Sequence, residues 1–331
     1  MIRPKLSRET FDRLSAPGSR IDWLRDWLLE CVWSSERYNS MAAGEYLEQG
    51  EKEVNEIEEV IAAAAPRVYD ELLGGVPERC DVQRFLNERR PCAVVVFDGL
   101  SLREVPLLLR LAEKSGLSLA EPIDFSFSAV PSGTVEFIEQ RLGFGRTSPS
   151  ALHERRALSD RGITAYYYDS VSRRFRLDDS AEALLLWSSF PDHSYSDSGA
   201  RFKEHFEQMH VLLETAWKNT VQQIPAGRNI LITSDHGYVY FGSGMSFSRS
   251  NAAMRPLTQY FGGERFKRTS EAGPPPEHPD LVELRDRDLA IIRGRAQTHP
   301  PGPQSSRLYK HGGLSIMEVL VPWVLLTSSG A

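Results

Sequence analysis

The apolar positions of this 331-residue chain follow two different rhythms. Over residues 1–90, Phe11, Leu14, Ile21, Leu24, Trp27, Leu28 and Cys31 recur mostly at spacings of three and four, which predicts helices. Val54, Ile57, Val60 and Ile61 inside the charged stretch EKEVNEIEEVIAAAA predict another. At Pro91 the pattern changes. AVVVF (93–97) is an unbroken apolar run, as expected of a strand covered on both faces, followed by a turn at Asp98–Gly99 and a helix from about Ser101. GITAYYYDS, EALLLWSSF, NILITS and VLVPWVLLTS predict further strands, and residues 200–223 a long helix. Strands alternating with helices predict an α/β sheet with helices on both faces, preceded by a helical N-terminal extension over 1–90. Within the α/β part, 91–331, residues 242–310 break the rhythm. They are rich in Gly, Pro, Ser and Arg and hold one strand region, LVELRDRDLAIIRG, so they read as a loop-rich insertion beside the sheet.

Composition narrows the class. With 41% hydrophobic and 25% charged residues and a net charge of −6, the chain reads as a soluble globular protein without a broad nucleic-acid-coating surface. Residues 255–310 differ locally, with ten Lys and Arg against seven Asp and Glu. This basic stretch has two readings, a solvated loop and a substrate-facing lid in which Arg265, Lys267, Arg268 and Lys310 steer a phosphate. The three cysteines, Cys31, Cys80 and Cys92, form no CxxC pair, which suits a reduced, cytoplasmic protein. No apolar run approaches ~18 residues, so no membrane span is expected. The N-terminus lacks the apolar core of a signal peptide.

Candidate chemistry collects where strands end, which is where open α/β sheets bind ligands. Asp98 follows AVVVF. Asp192 and His193 follow LLLWSSF, with Asp197 close behind. Asp235 and His236 follow ILITS, and His311 stands in YKHGGLS ahead of the last strand. Any one of these carboxylates has an ordinary reading as a turn or helix-cap residue. Their repetition favours a site for zinc, manganese or a similar divalent ion, and the cysteines offer no thiolate alternative. The number of candidates allows one ion or two, and two ions ~3.5–4 Å apart would suit displacement at phosphorus. Ser132 to Thr134 in VPSGTVEFIEQRL fall at a predicted helix start, as a plain N-cap or as a hydroxyl nucleophile.

The ordered set FDGLS, PSGT, SDHGY and HGGLSIMEVLVPWVLL resembles the PglZ domain of the alkaline phosphatase superfamily, over roughly residues 91–330. The resemblance implies an alkaline-phosphatase-like sheet and a phosphodiesterase or phosphatase dependent on zinc or manganese. It implies Asp98, Thr134, Asp235 and His236 at one metal, with Thr134 as nucleophile, and His311 at the second. Asp192 and Asp197 match the carboxylates expected after the middle strand, with His193 as a replacement ligand. The chain departs from the family here, because the fourth place after Asp192 is Ser196, a poor ligand. Lys310 is a candidate substrate contact. The implied substrates are nucleotide or nucleic-acid phosphate esters, and the implied setting is bacterial antiphage defence of the BREX type, alongside other defence proteins. The rival reading is a non-catalytic scaffold subunit on a degenerate phosphatase fold.

Overall fold

A computed structural model of the chain describes residues 12–14, 20–195, 202–242, 244–299 and 308–328. Its central sheet is built from β1 (Cys92–Phe97), β2 (Leu117–Leu119), β3 (Asp124–Phe127), β4 (Ile163–Tyr168), β5 (Ala183–Ser188), β6 (Asn229–Thr233) and β12 (Leu320–Ser328). The order is β2-β12-β6-β1-β5-β4, with β3 also paired to β12. β1 lies at the centre, parallel to both neighbours, so that Val95 faces Leu186 on one side and Ile232 on the other. β4 extends the parallel set, while β12 runs antiparallel to β6.

The unbroken apolar runs have the explanation expected of them. Ala93, Val95 and Phe97 join one apolar cluster with Leu47, Ile57, Leu108, Leu111, Leu213 and Trp217, which come from helices Ala43–Ala64, Val105–Lys114 and Phe202–Asn219. Cys92, Val94 and Val96 join a second cluster with Phe85, Leu86, Phe137, Ile138 and Leu142. Both faces of the sheet are therefore covered by helices. Each fully buried aliphatic side chain of β1 contributes roughly 1.5–3 kcal/mol through area removed from water. The helix after β1 starts where the sequence sets it: Ser101 and Glu104 form a capping box, with the Ser101 N–H donating to Glu104 Oε2 at 2.8 Å.

The helices of the first 90 residues share the first of these clusters with the sheet. One polar contact reinforces that union. Glu51, fully buried on helix Ala43–Ala64, accepts from the equally buried Arg103 beside β1 and Arg295 of the 242–310 region. The described residues of the 242–310 region hold more regular structure than their composition suggests. They include a helix, Asn251–Phe261, and an antiparallel sheet in the order β8-β10-β9, from β8 (Phe266–Arg268), β9 (Leu281–Leu284) and β10 (Leu289–Ile292). The single strand region expected in LVELRDRDLAIIRG is a hairpin, because Asp288 takes a left-handed conformation (φ 54°) and reverses the chain between β9 and β10. β7 (Val239–Tyr240) and β11 (Tyr309–Lys310) pair as a two-stranded ribbon that brings residue 311 back to the sheet.

Candidate metal centre

Parallel register puts the carboxyl ends of β1, β5 and β6 at one edge, since Phe97 is level with Ser188 and Val96 with Thr233. The residues that follow therefore converge. The Asp98 N–H donates to the Ser188 carbonyl at 2.9 Å, and the Asp192 N–H to the Asp98 carbonyl at 2.9 Å. Between them Gly99 turns with φ 72°, close enough to Asp192 that an added Cβ would lie 3.0 Å from the Asp192 Cβ. Two groups of donors result, Asp98–Asp235–His236 and Asp192–His236–His311. In each, one donor atom per residue lies within 4.8 Å of the others.

Asp235 is the fixed point. It is fully buried, and its Oδ1 accepts the Gly99 N–H at 3.0 Å while Oδ2 accepts the Thr134 hydroxyl at 2.6 Å. Of the two hydroxyls proposed from sequence, the structure separates the roles. Ser132 is fully buried, accepts the Gly312 N–H at 2.8 Å and lies 3.2 Å from the Gly313 carbonyl. Thr134 is the one that faces Asp235.

Both histidines are oriented by backbone carbonyls. His236 Nδ1 lies 3.0 Å from the Gly237 carbonyl and His311 Nδ1 lies 2.9 Å from the Ser132 carbonyl. A carbonyl cannot donate, so each Nδ1 carries the proton and each Nε2 of the neutral ring presents a lone pair. The two rings stack at 3.9 Å with 10° between planes. His236 Nε2 is buried, has no hydrogen-bond partner, and stands 3.6 Å from both Asp98 Oδ1 and Asp235 Oδ2. Asp98 Oδ1 is likewise buried without a partner, while Oδ2 accepts the Trp187 indole N–H at 3.3 Å. Burial, then the neighbouring Asp235 and Asp192 carboxylates, push Asp98 well above the usual carboxylate range. Desolvation in the cleft and the adjacent His236 hold His311 below the ordinary imidazole range. Lone pairs of like character facing one another at this spacing repel unless a proton or a metal cation lies between them, and carboxylate-plus-imidazole donors suit zinc or manganese.

The other residues proposed from sequence fall at different distances from this centre. His193 belongs to neither donor group: its ring is exposed on the short helix Asp192–Tyr195, with Nδ1 3.0 Å from the Ser189 carbonyl. Asp197 lies outside the described residues. Lys310 ends β11, directly before His311.

The HGGLSIMEV segment shows why its residues are needed. Ser315 caps helix Ile316–Val319 by accepting the Glu318 N–H, and Glu318 Oε1 accepts the Gly313 N–H at 2.9 Å. Arg265 reaches from the 242–310 region and closes a bidentate pair with Glu318 at 2.6 and 2.8 Å, both side chains fully buried. Arg265 is thus a buried clamp on the His311 loop, where sequence offered a solvated loop or a phosphate contact. Gly237 completes the joint: its N–H donates to the Glu318 carbonyl at 2.9 Å, and an added Cβ would collide with the Met317 carbonyl oxygen. Sequence reasoning missed Trp187 and the Arg265–Glu318 pair. Glu318 lay within the recognised block, but nothing local connects it to a residue 53 positions earlier.

No protein-family profile matches the chain, and no curated protein matches it by sequence. Among solved structures it is similar to murine ectonucleotide pyrophosphatase/phosphodiesterase 5 in complex with AMP, at 12% identity and a TM-score of 0.44, covering 72% of this chain and 88% of that one. It is also similar to phosphonoacetate hydrolase from Sinorhizobium meliloti in complex with phosphonoacetate, at 12% identity and a TM-score of 0.35, covering 72% and 90%. Among the described residues no helix is long and apolar enough to cross a membrane.

Proposed function

We propose that the chain is a metal-dependent phosphoric ester hydrolase of PglZ type, acting on nucleotide or nucleic-acid phosphate esters. The observation that carries this reading is the pair of buried, partnerless donors, Asp98 Oδ1 and His236 Nε2, converging beside a carboxylate that accepts a threonine hydroxyl. Asp98, Asp235, His236 and Thr134 would hold one ion, and Asp192 and His311 a second. A bound zinc or manganese ion would supply Lewis-acid stabilisation of negative charge on oxygen.

The chain's own residues support the remaining steps. Asp235 Oδ2, 2.6 Å from Thr134 Oγ1, aims the hydroxyl and is placed to take its proton. Threonine attack on phosphorus forms the Oγ1–P bond as the ester P–O bond breaks, the Thr134 proton passing to Asp235 and the leaving oxygen taking its proton from solvent. Water then cleaves the phosphothreonine and restores the hydroxyl. The PglZ resemblance further supports a cytoplasmic role in antiphage defence with other defence proteins.

The test combines metal analysis with turnover of bis-p-nitrophenyl phosphate. The reading expects stoichiometric zinc or manganese and hydrolysis lost on chelation, with Thr134→Ala reducing kcat by 10²-fold or more (~2.7 kcal/mol). Purified protein that binds neither ion and hydrolyses no phosphate ester overturns it. Full activity in Thr134→Ala assigns the attack to water instead.

A further inference from the structure

The second feature of the site lies in β8. Its four-residue neighbourhood, Arg265-Phe266-Lys267-Arg268, divides its side chains between two tasks. Arg265 turns inward and grips Glu318. Phe266 packs on the His311 loop, its ring 3.0 Å from where a Cβ on Gly312 would stand. Arg268 shares the Phe266 face of the strand, about 7 Å further along at ~3.3 Å per residue. Beyond Phe266 opens a cavity of about 330 Å³, lined by Phe266, Lys267, Arg268, Glu271 and Ala272. Among the described residues, neither Lys267 nor Arg268 has a carboxylate within 4.0 Å, unlike Arg249, which is paired with Asp280 and Glu59. Asp288, the acid that feels Arg268, already accepts from Thr269 and Ser270. Glu271 lines the cavity too, so the lining itself carries a net excess of one positive charge, with the Asp288 carboxylate beside Arg268 outside that lining.

We infer that β8 forms a subsite for a second phosphate of the substrate, with Arg268 as its principal cation and Lys267 in support. The inference rests on the hydrolase reading of the neighbouring donors. Its physical basis is rigidity. Surface cations on loose loops contribute little. Here the strand that carries them is tied to the His311 loop by a buried bidentate pair and by the Phe266–Gly312 contact, so the backbone from which they project is held beside that loop. Preorganised cations recognise a phosphate at lower entropic cost. The substrate class follows: a phosphodiester whose chain carries a neighbouring phosphate, in preference to an isolated ester.

The test compares thymidylyl-thymidine with and without a 5′-phosphate, in the metal-loaded wild-type chain and in Lys267→Ala/Arg268→Ala. The wild type is expected to favour the phosphorylated dinucleotide by roughly tenfold in kcat/KM at low salt, a preference that shrinks as ionic strength rises. In the double variant the ratio falls toward one, whereas Arg156→Ala, at an exposed cation far along the chain, keeps it. Calorimetric titration with inorganic pyrophosphate gives a readout independent of turnover, with binding weakened roughly tenfold in the double variant and orthophosphate as reference. An unchanged ratio or unchanged pyrophosphate affinity in a folded double variant overturns the subsite. If the wild type cleaves neither dinucleotide, the hydrolase reading falls, and the pyrophosphate titration still decides the subsite.

Discussion

Replacing Arg265 with alanine tests how the His311 loop is held. Both members of the Arg265–Glu318 pair are fully buried, and the arginine also donates to the Ala296 carbonyl at 3.1 Å and the Gly294 carbonyl at 2.6 Å. Removing it leaves a carboxylate in the interior without its counter-charge and two carbonyls without donors. Breaking a buried pair from one side costs about 3–5 kcal/mol. At ~2–4 °C per kcal/mol for a large domain, the melting temperature should fall by roughly 10 °C. Most of that cost is the stranded charge, so the double variant Arg265→Met/Glu318→Gln should recover more than half of it, with glutamine still accepting the Gly313 N–H. Differential scanning calorimetry of wild type, Arg265→Met, Glu318→Gln and the double variant closes the cycle. A single variant that melts within about 2 °C of wild type would refute the reasoning, as would a double variant as damaged as the sum of the singles.

Other consequences are testable in the same way. Asp235→Asn should retain less than half the zinc of wild type after dialysis, measured by elemental analysis, because Asp235 joins Thr134, Gly99 and the donor group. Trp187→Phe removes the indole N–H from Asp98 Oδ2 and should weaken zinc binding by about tenfold in a chelator competition, alongside a lower melting temperature from the cavity the smaller ring leaves in the core. Gly237→Ala should cost about 1–3 kcal/mol or more, since the Met317 carbonyl has nowhere to retreat. Burial pushes Glu58 and Glu104 from 4.5 up to about 7. A carboxyl that holds its proton more tightly when folded stabilises most at low pH. Stability should therefore fall as pH rises from about 4.5 to 7 and level off above, by on the order of 3 kcal/mol per group. Glu58→Gln, which keeps an acceptor for the Ile316 N–H, should flatten that slope in denaturant titrations.

The sheet was legible because a parallel strand covered on both faces must be apolar almost throughout, and AVVVF, ALLLW and ILI are. Strand ends were then the places to look, and the structure brings Asp98, Asp192, Asp235, His236 and His311 together there. The short strands β2 and β3 and the β7–β11 ribbon gave no such signal, since a strand of two to four residues has no period to read. The 242–310 region misled for a different reason. Its arginines look like solvent-facing charge until their partners are known, and Arg265, Arg295 and Arg249 find theirs 53, 244 and 190 positions away. Hydrophobic periodicity records which face of an element is covered. It carries no record of which distant carboxylate meets which cation.

The Arg103–Glu51–Arg295 contact sets a limit on modularity. Two guanidiniums share one carboxylate, and all three side chains are fully buried. A chain beginning at Pro91 would keep every proposed metal ligand and both arginines but lose the glutamate between them, leaving two like charges buried face to face. Shuffling the sheet and its strand-end loops into another protein would therefore carry the chemistry without its keystone, and inheritance of this site by recombination must bring the helix around residue 51 along with it.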